Sequence, residues 1–215
     1  MSRMKLQLFY WTDDGENPPM KMEIVTLRYG NTFTFLVKGL TGSLLVDTDY
    51  AGTMQGLYRT LKANEIRLNQ ISCMMATHYH PDHCGLIGQL QAQGVQLLLM
   101  DSQVKAVHSP DYIFAREKRE YIPVDPAKAM IISAKESRPF LKALGIEGEI
   151  IQTASHSADG VCLILDSGAC FVGDLEPPEY LGAYADNSLL AQDWKMIMRR
   201  HPKMIYYAHA PARAV

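Results

Sequence analysis

A chain of 215 residues, 47% hydrophobic and 20% charged, is long enough to bury its own core without disulfide or metal staples. A formal net charge of -2 at pH 7, with no lysine or arginine block, argues against nucleic acid as a partner. No apolar run approaches the ~18 residues needed to span a membrane, and the first ten residues hold no apolar stretch of signal-peptide length. The four cysteines, Cys73, Cys84, Cys162 and Cys170, are scattered without CxxC spacing and read as reduced core residues. A single domain over residues 1–215 of a soluble, cytoplasmic protein, with no nucleic-acid and no membrane partner, is the expectation.

The first quarter alternates strands and turns. Residues 22–27 and 32–37 read as strands around Gly30-Asn31, and residues 43–46 as a third that ends at Asp47-Thr48-Asp49. The period then changes: Met54, Leu57, Tyr58 and Leu61 fall at helical spacing. Residues 71–76 form an apolar run short enough for a buried strand. Residues 85–93 predict a helix ended by Gly94, and 95–100 a further strand. Residues 110–132 mix aromatics, charges and prolines, and fit either a short helix or lid, or a surface helix followed by a loop. A helix over 133–144 has Ser133 as N-cap, Glu136 as its capping-box partner and Gly145 as its stop. Strands at 149–153, 161–165 and 170–172, a helix at 189–200 and a last strand at 204–208 complete the pattern. No linker, low-complexity tract or repeat interrupts it.

Directly after the apolar run at 71–76 stands Thr77-His78-Tyr79-His80-Pro81-Asp82-His83, which takes three of the seven histidines. Neutral imidazole is the commonest protein metal ligand. In an extended chain, side chains at i and i+2 point the same way, so His78 and His80 can converge on one ion. Asp82 and His83 sit close enough to serve a second. The loop between a buried strand and a helix is where α/β folds carry their chemistry. The bland alternative is a histidine-rich surface loop. Three more candidate donors each follow a predicted strand: His156, Asp174 and His209. Singly each is weak, since a lone histidine is commonly structural and an aspartate after glycine is commonly a turn residue.

Together, and in this order, these residues resemble the metallo-β-lactamase superfamily over about residues 22–209. The signature HxHxDH stands as His78-Tyr79-His80-Pro81-Asp82-His83. The early aspartate at a strand end matches Asp47, the third-motif histidine His156, the bridging aspartate Asp174 and the final histidine His209. The resemblance implies an α/β (α+β) fold, a four-layer αββα sandwich of two mixed β-sheets flanked by helices. It implies that His78, His80 and His156 hold one metal ion, that Asp82, His83 and His209 hold a second, and that Asp174 bridges them across a shared water or hydroxide. Asp47 would not ligate but would orient the first-motif loop. The chain departs from the common pattern at Ala154-Ser155-His156 (usually Pro-Gly-His), Ala208-His209-Ala210 (usually Gly-His-Gly) and Gly85-Leu86 (often Gly-Gly).

Two divalent ions in a histidine and carboxylate cage, zinc first and iron or manganese next, would provide a hydroxide near pH 7 and polarise a substrate oxygen. The resemblance therefore implies a metallo-hydrolase that cleaves an ester, thioester, lactone, amide or phosphoester of a small molecule, with Asp82 also holding the nucleophile by hydrogen bond. Two other readings compete. One is a mononuclear iron oxygenase or redox enzyme of the same fold, such as the persulfide dioxygenases, which keep only the first histidine set and the aspartate. The other is a non-catalytic metal-binding module. With six residues after His209, no helical domain of the glyoxalase II kind and no flavodoxin-like extension is expected, and His78 stands where flavodiiron proteins carry glutamate. No inserted domain of the nucleic-acid-processing kind is evident. A β-lactamase role is unforced, because such an enzyme is usually exported. His108 and His201 read as surface or structural residues. Tyr79 should point away from the metals, Cys84 should pack, and Trp194, Met196 and Met198 should be core. Tyr112, Phe114 and Tyr184 are candidates to line a cleft, and the loops at 110–126 and 176–187 to set selectivity.

Overall fold

Strands whose side chains are apolar on both faces need cover on both faces, and this chain supplies it with a second sheet on one side and helices on the other. The computed structural model describes residues 22–183 and 186–215; the N-terminal reading and Tyr184 fall outside them. The first sheet runs β1 (Glu23–Arg28), β2 (Phe33–Lys38), β3 (Ser43–Val46), β4 (Cys73–Met75), β5 (Gln96–Met100) and β6 (Met130–Ile132), in that spatial order. Its β1–β2 and β2–β3 pairs are antiparallel and the other three parallel. The second sheet holds β7 (Gly148–Gln152), β8 (Val161–Leu165), β9 (Ala169–Gly173), β10 (Met204–Tyr207) and β11 (Arg213–Ala214), in the order β11-β10-β9-β8-β7. Only β9 and β10 pair in parallel there, so both sheets are mixed.

The two-residue period of the strands sorts the core into three layers. Val37, Leu44, Val46, Cys73, Met75, Leu98 and Met100 face Ile150, Val161, Leu163, Leu165 and Phe171 between the sheets. Their alternates Leu36, Leu45, Met74, Leu97 and Leu99 lie under Leu57 and Leu61 of α1 (Met54–Ala63) and Ile87 and Leu90 of α3 (Ile87–Ala92). On the far side Ile151, Cys162, Ile164, Cys170 and Val172 are covered by Leu190, Trp194 and Ile197 of α6 (Ser188–Met198). At about 1.5–3 kcal/mol for each fully buried Leu, Ile, Val or Phe, these layers dominate the fold's stability. The architecture is the four-layer αββα sandwich.

Three local features differ from the sequence expectation. The helix expected over 85–93 is α3, which starts at Ile87, and an unexpected short helix, α2 (Pro81–Cys84), precedes it inside the histidine motif, with Gly85-Leu86 between them. Gly85 presses on the chain beyond β3: a Cβ there would lie 2.2 Å from the Ala51 amide nitrogen and 2.6 Å from the Asp49 carbonyl oxygen. The irregular middle segment contains α4 (Asp111–Arg116) and then β6, whose three residues are too few to display a period. The two-residue β11 is likewise invisible to periodicity. Elsewhere the boundaries agree within two residues, and α5 (Ala134–Ala143) starts as expected, with the Glu136 carboxylate accepting from the Ser133 backbone N–H at 2.8 Å. All four cysteines are buried free thiols, and burial pushes Cys73 and Cys162 up to about 12. No helix among the described residues is long and apolar enough to cross a membrane.

Candidate metal centre

Asp47, His78, His156, Asp174 and His209 each lie one to four residues beyond the C-terminal end of a strand: β3, β4, β7, β9 and β10 respectively. Those strand ends gather at one edge of the sandwich. Val161 N–H donates to the Thr77 carbonyl at 2.8 Å, and Ala208 N–H to the Gly173 carbonyl at 3.0 Å. Gly173 permits the closest approach. Its φ is 60°, and a Cβ would lie 2.5 Å from Thr77 Oγ1.

Seven side chains converge there in two groups. His78, His80, His156 and Asp174 present donor atoms within 4.8 Å of one another, and so do Asp82, His83 and His209. Asp174 stands between the groups. Its Oδ2 lies 3.9 Å from His78 Nε2 and 3.8 Å from His156 Nε2, and its Oδ1 lies 3.2 Å from His83 Nε2 and 3.3 Å from His209 Nε2. His156 Nε2 is 3.2 Å from His80 Nδ1, and His209 Nε2 is 3.2 Å from Asp82 Oδ2.

The outward nitrogen of each key ring decides what the inward one offers. Asp47 is buried, with φ 59°, a left-handed conformation that aspartate tolerates better than most side chains. Its carboxylate accepts from Thr77 N–H at 2.6 Å, from Thr77 Oγ1 at 2.9 Å and from His83 Nδ1 at 3.1 Å. The Thr77 hydroxyl proton is thus used, and its lone pair accepts from His78 Nδ1 at 3.2 Å. His209 Nδ1 donates to the Asn31 carbonyl at 3.3 Å. In the neutral rings of His78 and His209, the inward Nε2 therefore carries a lone pair. His78 Nε2, His83 Nε2 and Asp174 Oδ1 are buried without a hydrogen-bond partner. Buried polar atoms are rarely left so, and nitrogen and carboxylate acceptors crowded within 4 Å repel unless a cation lies among them. The residues present fit divalent metal ions.

Charge follows the same design. Burial, and then the neighbouring His83, hold the His78 imidazole far below its usual value, so the ring stays neutral. Burial likewise lowers His156. Burial also opposes charge on His83, but Asp47 and Asp174 outweigh it and raise its pKa from 6.5 to about 10. Burial would raise Asp174; His83, whose Nε2 lies 3.2 Å from Oδ1, outweighs it and holds the carboxyl well below the usual carboxylate range.

The other sequence candidates lie elsewhere. His108 is on the surface against Asp111 at 3.0 Å, and His201 is exposed with φ 51° beyond α6. Tyr79 and Cys84 are buried in the cluster under α1 and α3. Trp194 is core and donates to the Glu176 carbonyl, while Met196 and Met198 pack partly buried beside it. Phe114 does not line a cleft: it is fully buried between Tyr50 and Tyr121, at ring-centroid distances of 5.2 and 4.4 Å, because the apolar face of α4 turns inward. Tyr112 is exposed. Sequence reasoning missed the Asn31 carbonyl, Gln103 and Asp159. It also missed Asp193, which accepts from Ser155 N–H at 2.9 Å and anchors the unusual Ala154-Ser155-His156 turn.

The sequence matches the family model of the metallo-beta-lactamase superfamily over residues 27–209, and the chain belongs to that superfamily. No curated protein matches it. Among solved structures it is similar to a metallo-beta-lactamase family protein from Thermus thermophilus, with 17% identity, TM-score 0.67, and 90% of this chain and 74% of that one covered. The BLEG-1 B3 metallo-beta-lactamase gives 16% identity, TM-score 0.68, and coverage of 89% and 94%. The chemotaxis sensor ODP, solved as a peroxy diiron species, gives 15% identity, TM-score 0.64, and coverage of 93% and 88%.

Proposed function

We propose that this chain is a hydrolase with two divalent metal ions, zinc before iron or manganese, acting on an ester, thioester, lactone, amide or phosphoester of a small molecule. One observation carries the reading: seven donors form two groups that share Asp174, with lone pairs aimed inward and three buried donor atoms unpartnered. His78, His80 and His156 would hold one ion, Asp82, His83 and His209 the other, and Asp174 both. Ions held there would supply Lewis-acid activation of water and polarisation of a substrate oxygen. Asp47 and Thr77 lock His78 and His83 in the ligating tautomer, which spares the site that rearrangement during turnover. His80, His156 and His209 are exposed and Asp82 is partly so, so the site opens to solvent over both groups. There Asp82 would accept a hydrogen bond from the attacking water and hold it in place. The four buried free thiols support a cytoplasmic location.

The complete second group, Asp82, His83 and His209, favours two ions over the mononuclear iron reading. A diiron redox centre is the competing use of the same donors, since the ODP sensor carries one on this fold. Metal analysis by mass spectrometry, with a panel of thioesters, lactones, cephalosporins and phosphodiesters, separates them. About two zinc ions per chain with turnover is expected. Iron with oxygen uptake and no hydrolysis would overturn the hydrolase.

A further inference from the structure

The three-histidine group is assembled from two loops far apart in sequence. His78 and His80 follow β4, and His156 lies between β7 and β8. Asp159 joins them. Its Oδ2 accepts from the Tyr79 N–H at 2.8 Å, the peptide between His78 and His80. Its Oδ1 accepts from the hydroxyl of Ser157, the residue after His156. Behind it the fully buried Gln103 amide donates to the carbonyls of Ala76 at 3.0 Å and Asp159 at 3.2 Å, tying the same two segments again. Asp159 is 8% exposed, and no lysine or arginine pairs with it among the described residues. A buried carboxylate held by neutral donors alone is costly to retain for packing.

We propose that Asp159 is a positioning residue for the three-histidine group. Its carboxylate clamps the turn that carries His156 onto the His78–His80 peptide, and so sets the donor spacing of one ion site while leaving the other alone. The 3.2 Å between His156 Nε2 and His80 Nδ1 is the distance it governs. The second group is braced by different parts, Asp47 on His83 and the Asn31 carbonyl on His209. This inference rests on the two-ion reading above.

Zinc titrations against a chromophoric chelator test it, made on H209A and H156A proteins, each with and without Asp159→Ala. The first background reports the three-histidine group and the second the Asp82/His83 group. In H209A, Asp159→Ala is expected to weaken zinc binding about 10–100-fold, the usual cost of losing a partner that orients ligands. In H156A the change should stay within about twofold, as for independent sites. Asp159→Asn keeps an oxygen for the Tyr79 N–H and should recover most of the loss. Equal weakening in both backgrounds, or none in either, overturns the proposal. If the Ala variant fails to match the wild-type circular dichroism, Ser157→Ala, which removes the hydroxyl bonded to Asp159 Oδ1, carries the comparison: weakening confined to H209A supports the proposal, and no weakening there, or equal weakening in both backgrounds, overturns it. Wild-type protein that takes up no zinc, iron or manganese would instead overturn the two-ion reading.

Discussion

Asp174 is the residue on which both groups depend, because its two oxygens face four different imidazoles. Asp174→Ala should therefore take metal content from about two ions per chain toward none and abolish turnover; full occupancy in that variant would show that the carboxylate does not bridge. His83 carries a second expectation, and its sign can be worked out. Its folded pKa is raised from 6.5 to about 10, so in the metal-free protein its proton stabilises the fold fully below 6.5, and that contribution is lost as pH rises through about 10. An incoming ion must displace the same proton. Loading at pH 7 to 8 should thus release protons, and metal affinity should climb toward pH 10. Calorimetry in buffers of different ionisation enthalpy reads the release directly, and identical heats across buffers would place no proton on His83.

At the scale of elements, the strand ends do the positioning. Gly173 closes β9 with a left-handed φ and no Cβ to strike Thr77. Gly173→Ala should cost about 1–3 kcal/mol by urea unfolding and weaken metal binding as well, since Thr77 and Asp174 must part. What the sequence disclosed follows the same division. His78 to His83 are legible because one short loop holds them, and His156, Asp174 and His209 because each trails an apolar run. Long strands such as β2 and β8 show themselves through burial on both faces. β6 and β11 do not, being two or three residues long and defined by neighbours they meet only after folding. The Tyr79–Asp159 hydrogen bond spans 80 positions, and the Asn31 carbonyl is a backbone atom that no side-chain pattern encodes.

At the scale of the molecule, donors from the first sheet and from the second meet at one edge of the sandwich. Ions bound there would stabilise the folded state by mass action, about 4 kcal/mol at a thousandfold excess over Kd. Stripping metal with a chelator should then lower Tm by on the order of 10 °C for a chain of this size; an unchanged Tm would leave the donors without an ion to lose. The division of donors also bears on descent and recombination. His78 to His83 end before residue 84 and the next donor is His156, so an exchange of segments between relatives anywhere in that interval passes on both donor halves whole. Such a hybrid would inherit every donor and renew the contacts that join the halves, among them His209 to the Asn31 carbonyl and Tyr79 to Asp159. Natural shuffling could thus retune the cage without touching a single ligand.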